Sequence, residues 1–128
     1  MPFVSVSEAL NQVVVDIEAL AQASGDPPWR RCLVGTPALR VVLLCWPPGY
    51  SSVRHVHPAA EEVFSIVSGR ALFTIGDEPE REVGRGSFLL AERGVRHLIR
   101  VPDGGEPLLL LAAVAPNEEW PQETIEPA

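Results

Sequence analysis

The chain contains three histidines, and two of them form His55-Val56-His57. On an extended segment, side chains two apart point to one face, so both imidazoles reach into the same space. Glu62 follows in a run where Phe64 and Ile66 share its parity, while Glu61 and Val63 take the other. A carboxylate on an apolar, inward face is costly unless it is paired or holds a cation. The remaining imidazole, His97, comes shortly after Gly94. Together His55, His57, Glu62 and His97 offer three nitrogens and one oxygen. That set suits one divalent transition metal, Mn, Fe, Co, Ni, Cu or Zn, far better than Mg or Ca. A lone histidine is more often a hydrogen-bonded surface or core group than a ligand. A set that uses every histidine in the chain is harder to explain that way. A metal held by four side chains in a six-coordinate sphere keeps two positions for water, a substrate or dioxygen.

The elements that must position these residues read as a helix followed by short strands. Val6, Leu10, Val13, Val14, Ile17, Leu20 and Ala21 recur at helical spacing with polar residues between them, which predicts an amphipathic helix over 6–23. Ser5 with Glu8 has the capping-box pattern, and Gly25 followed by Pro27 and Pro28 is a stop signal. Beyond Pro37 the texture changes to runs of Val, Ile, Leu and Phe ended by Gly, Pro or Asp clusters, the pattern of many antiparallel strands. The expected strands are 39–46, 54–57, 62–68, 71–75, 81–83, 87–90, 97–101 and 108–114. Eight short strands at this spacing suit an all-β jelly-roll barrel. The expected organisation is a helix and linker over 1–37, a barrel over 38–115 and an acidic, Pro-rich tail over 116–128, lying on the surface with Trp120 as its anchor.

Composition narrows the function. At 128 residues, 46% hydrophobic and 21% charged, the chain fits one domain with a real core. The apolar runs are too short to span a bilayer, and 1–8 lacks a basic and apolar leader, so a cytoplasmic protein without a membrane partner is expected. A net charge of -7 disfavours nucleic acid, because phosphate binding is dominated by basic surface. All ten bases are Arg and none is Lys, which removes lysine Schiff-base chemistry and leaves Arg forks to hold anions. Cys32 and Cys45 lack the CxxC spacing of redox or zinc sites, and Cys45 reads as a small buried hydrophobe.

The spacing of the histidine segment resembles the cupin family. Gly49, five residues, His55-Val56-His57, four residues, Glu62, six residues and Gly69 match the first cupin motif, and Gly86, Gly94 and His97 match the second. The resemblance covers 41–114. Glu92 stands where the second motif usually has Pro, and Val101 where it usually has Asn, so the turn presenting His97 is open to difference. The glycines at strand junctions read as structural. The resemblance implies a jelly-roll barrel with the metal inside one end, usually in a homodimer.

For function, the resemblance allows a dioxygenase-type oxidoreductase, the leading expectation. The alternatives are a metal-dependent isomerase or lyase, and a non-catalytic module for a small metabolite. Proton transfer needs a base that is not a ligand, and Glu61, Glu92, Tyr50 and Cys45 are the candidates. Arg54 and Arg96 neighbour the ligand histidines and should face away from them. Trp46, Phe64, Ile66, Phe73 and Ile75 are expected to point inward, making the pocket apolar around the metal.

Overall fold

The structure, a computed structural model, describes residues 9–120. Its strands are β1 (Trp29–Thr36), β2 (Leu39–Trp46), β3 (Glu61–Ser68), β4 (Arg70–Ile75), β5 (Arg81–Gly84), β6 (Phe88–Ala91), β7 (His97–Arg100) and β8 (Leu108–Ala115). They form a five-stranded sheet in the order β1-β2-β8-β3-β6 and a three-stranded sheet in the order β5-β4-β7, with every pair antiparallel. The result is a jelly roll of two facing sheets, not a barrel closed by an unbroken ladder.

Alternation explains the core. Along β3, Glu62, Phe64 and Ile66 are buried while Glu61 and Ser65 are exposed, the parity expected from sequence. Phe73 on β4 and Ile99 on β7 meet Phe64, Ile66, Leu108 and Leu110 from the opposite sheet, and each such buried side chain contributes about 1.5–3 kcal/mol. The rings of Phe64 and Phe73 lie 6.4 Å apart in an edge-on arrangement between the sheets. Trp46 and Ile75 pack against this core. One turn requires glycine: between β3 and β4, Gly69 has φ +88, and a Cβ there would sit 2.5 Å from the Pro107 carbonyl oxygen.

Several expectations need correction. The helix is α1 (Ile17–Ala23), capped by Asp16, whose carboxylate accepts from the Ala19 amide at 3.0 Å; the predicted Ser5–Glu8 cap lies outside the described residues. Residues 9–16 do not extend the helix. The Leu10 and Asn11 amides instead donate to the Cys32 and Leu33 carbonyls of β1, and the Asn11 side chain exchanges hydrogen bonds with the Gly35 backbone. β1 is the edge of its sheet, so its free backbone groups offer this segment partners that helical periodicity does not reveal. Val13 and Val14, placed on the predicted buried stripe, are exposed.

β1 itself falls where a linker was expected. Its Arg30-Arg31 pair interrupts the apolar pattern, yet it forms a hairpin with β2 across the two-residue turn Pro37-Ala38. The expected strand 54–57 is an irregular segment. It is joined to β7 by bridges from Ser51 to Arg100 and from His55 to His97, with one more residue on its side than on β7, as in a bulge.

Candidate metal centre

The irregular segment, β3 and β7 supply the site. His55 and His97 face each other across their bridge, and each backbone amide donates to the other's carbonyl at 3.2 and 3.0 Å. His57 lies two residues beyond His55, and its carbonyl accepts from the Gly94 amide at 2.9 Å. The turn ending in Val95, whose amide donates to the Glu92 carbonyl at 3.0 Å, is thereby tied to the first histidine pair. Glu92 is exposed in this turn and Val101 is buried in the core, so neither departure from the motif disturbs the cluster. From the opposite sheet, Glu62 on β3 points across to all three imidazoles.

One ligating atom from each of His55, His57, Glu62 and His97 lies within 4.8 Å of all the others. Glu62 Oε1 is 2.9 Å from His57 Nε2, 3.2 Å from His97 Nε2 and 3.9 Å from His55 Nε2. Ligands about 2.1 Å from one ion lie roughly 3 Å apart at right angles and roughly 4 Å apart when opposed, so these separations fit a shared cation. The protonation pattern agrees. His55 Nδ1 donates to the Val53 carbonyl at 2.7 Å and His57 Nδ1 to Glu118 at 2.6 Å. Each neutral ring therefore turns the lone pair of Nε2 toward Glu62. Two acceptors 2.9 Å apart, His57 Nε2 and Glu62 Oε1, need a cation between them, either a proton or a metal. His97 is 1% exposed, and among the described residues neither of its ring nitrogens has a hydrogen-bond partner, a costly state that coordination through Nε2 would partly relieve.

The electrostatics follow from that geometry. Burial alone would raise the Glu62 carboxyl, but the three imidazoles outweigh it and hold the group well below the ordinary carboxylate range. In return, Glu62 raises His55 and His57 above the usual imidazole value, and Glu118 adds to the effect at His57.

The centre opens into a cavity of about 660 Å³ between the sheets. Val42, Leu44, Trp46, Phe64, Ile99 and Ala112 make most of its wall apolar. Of the four candidate bases, Tyr50 lines it, with its ring stacked on Trp46 at 4.9 Å. Glu61 and Glu92 are exposed elsewhere, and Cys45 is a buried thiol, pushed up by burial, on the other face of β2. Arg54 and Arg96 are exposed and do not line the cavity. Phe64 and Trp46 reach the cavity, whereas Ile66, Phe73 and Ile75 belong to the core beneath.

Three groups at the site escaped the sequence reading. Arg40 shares the parity of Trp46 on β2, a signal that would have placed it in the cavity. Arg30 on β1 pairs with Leu44 and so joins the same face. Glu118, the partner of His57, had no signal. It comes from residues 116–120, which fold back because buried Asn117 donates from its side chain to the Thr36 carbonyl and from its backbone to the Pro37 carbonyl. Trp120, expected as the anchor there, is half-buried; Asn117 makes the hydrogen bonds.

A two-sheet jelly roll with three histidines and one glutamate clustered toward its interior defines the class of this protein. The family model for the cupin domain matches residues 42–114, and the chain belongs to the cupin family. No curated protein matches it in sequence. Among solved structures it is similar to a Bacillus halodurans protein (25% identity, 84% of this chain and 83% of that one, TM-score 0.72). It is also similar to the DMSP lyase DddQ of Ruegeria pomeroyi (27% identity, 73% of this chain and 49% of that one, TM-score 0.63). KdgF of a Halomonas species shares the fold (19% identity, 70% and 79% covered, TM-score 0.65).

Proposed function

We propose that His55, His57, Glu62 and His97 hold one divalent transition metal and that the chain is an enzyme acting on a small organic molecule in the adjoining cavity. The observation that carries this is the convergence of four ligating atoms, two of them on buried residues and one on an imidazole with no hydrogen-bond partner among the described residues. When bound, such a metal would supply Lewis acidity and, where it is redox-active as iron or copper is, redox chemistry beside the cavity. The chain's own residues orient the imidazoles through Val53 and Glu118 and exclude water with the apolar wall.

Dioxygenase-type oxidation is the leading reading. The wall favours apolar dioxygen and offers few groups that could move a proton. The test is metal analysis of protein purified without a metal-affinity tag, followed by oxygen uptake against 1,3-diketones and catechols. Iron, copper or nickel with uptake is expected. A second reading, a metal-dependent lyase or isomerase, is favoured by Tyr50 at the cavity wall and by the similarity to a DMSP lyase. Turnover undiminished without oxygen, and lost in Tyr50→Phe, would establish it. A tightly held metabolite with no turnover would point to a binding module.

The same reading includes a homodimer and a cytoplasmic address. No helix among the described residues is long and apolar enough to cross a membrane. On the outer face of the five-stranded sheet, Leu90, Val63, Ala113 and Val41 form one cross-strand row, and Phe88, Ser65 and Leu111 another. Phe88 and Leu90 are exposed, and an apolar face of this kind gains from being covered. Light scattering at low micromolar concentration is expected to give a dimer mass, reduced toward the monomer by Phe88→Glu; a wild-type monomer would remove this part of the proposal.

A further inference from the structure

Two arginines in the cavity are left unused by the metal centre. Arg30 on β1 and Arg40 on β2 both line it, and Arg40 is 9% exposed. A guanidinium this buried is normally locked to a carboxylate by paired hydrogen bonds. Elsewhere this chain makes such pairs: Arg100 reaches both oxygens of Glu80 at 2.8 and 2.9 Å, on the surface. In the cavity, one carboxylate faces both arginines. Glu119 Oε1 lies 3.4 Å from Arg40 Nε and 3.8 Å from Arg30 Nη2, and among the described residues none of Arg30 Nε, Arg40 Nε and Glu119 Oε1 has a hydrogen-bond partner. Two cations thus share one loosely placed anion, in a cavity already expected to gain the charge of a metal. One positive charge is left over, and although these three atoms are themselves buried, Arg30, Arg40 and Glu119 all line the space a substrate would enter.

We infer that Arg30 and Arg40 form an anion-binding subsite, and that the molecule acted on in this cavity carries a carboxylate. The position of Glu119 shows that the space between the two guanidiniums accepts a carboxylate, so Glu119 is an internal stand-in for the substrate's own. It is delivered by residues 116–120, the segment that also brings Glu118 to His57, so the anion subsite and the metal centre share one covering strand of chain. The inference deepens the proposed function, because it takes the cavity beside the metal centre as the substrate chamber; the arginine subsite itself needs no metal.

The test is calorimetric titration of the full chain, metal-free and zinc-loaded, with benzoate and with its neutral isostere benzamide. Wild type is expected to bind benzoate at least about tenfold more tightly than benzamide, the effect of a charged hydrogen bond. Arg30→Gln, at a partly exposed position, and Arg40→Lys, which keeps the charge but loses the fork, are each expected to remove most of that preference and leave zinc affinity unchanged. Glu119→Gln is expected to strengthen benzoate binding, a gain that a purely structural ion cluster would not produce. Equal binding of benzoate and benzamide by folded wild type, or an undiminished preference in Arg30→Gln, would overturn the subsite while leaving the metal reading intact. Arginine-dependent benzoate binding by a protein that takes up neither zinc nor manganese, iron, cobalt, nickel or copper would keep the subsite and overturn the metal reading. Weaker benzoate binding in Glu119→Gln would overturn its role as stand-in.

Discussion

Glu62→Ala is expected to weaken metal binding more than about 100-fold, beyond the 10–100-fold typical of losing an outer partner of a ligand, while Glu61→Ala leaves it unchanged. The two residues are neighbours on β3, but Glu62 is 5% exposed and within 3.9 Å of three imidazole nitrogens, whereas Glu61 faces solvent. Removing Glu62 takes away the one carboxylate of the cluster among the described residues and leaves the three neutral imidazoles to hold the cation without its negative charge. Glu118→Gln, which removes the charged acceptor behind His57, should give an intermediate loss. Metal titration with a competing chelator measures all three, with circular dichroism confirming the β fold. Equal loss in Glu61→Ala and Glu62→Ala would show that the carboxylate does not act through this geometry.

The second large effect is a reversal of the pH dependence of stability on adding metal. In the folded, metal-free protein His55 and His57 are raised, first by Glu62. Their contribution is therefore fully present below the ordinary imidazole pKa of about 6.5 and is lost as pH climbs through the raised values. Glu62 is lowered, so its contribution is present above the ordinary carboxylate range and lost on acidification. Metal-free protein should thus be most stable at mildly acidic pH and weaken toward pH 8. A metal held at the proposed centre would compete with those protons for the same imidazoles, so its affinity is expected to grow as pH rises. At pH 7.5, metal at about 100 times Kd adds about 2.7 kcal/mol, which for a domain of this size raises Tm by roughly 10 °C. Near pH 5 the rise should be much smaller, and His57→Ala should show little at either pH while keeping its apolar core. Differential scanning calorimetry with metal or chelator reads this directly. Melting indifferent to both at pH 7.5, with no metal by elemental analysis, would defeat the proposed metal centre.

Three of the four residues of the candidate site were legible in sequence through local rules, and the fourth, His97, as the remaining imidazole and a match to the second cupin motif. The i, i+2 spacing of His55 and His57, and the parity of Glu62 with Phe64 and Ile66, hold on any extended chain. The same rule applied to β2 would have turned Arg40 inward with Trp46. The linear pattern could not place Arg30, because its strand exists through pairing with β2 and its polar residues mask the alternation. Nor could helical spacing reveal that residues 9–16 leave the helix to satisfy the open edge of β1, since edge and helix compete for the same backbone groups.

By itself, then, the sequence with its cupin resemblance determined the all-β jelly-roll class, the inward face of β3, and which four side chains were candidates to meet. The tertiary structure alone decided how they meet: the bulged segment that sets His55 opposite His97, and the return of residues 116–120 over the cavity. Through Asn117 at the β1–β2 turn, that return puts Glu118 behind His57 and Glu119 between two arginines. The division has a physical reason. Side-chain parity is set by backbone geometry within a few residues, whereas Glu118 and His57 are 61 positions apart and come together only when both sheets are in place.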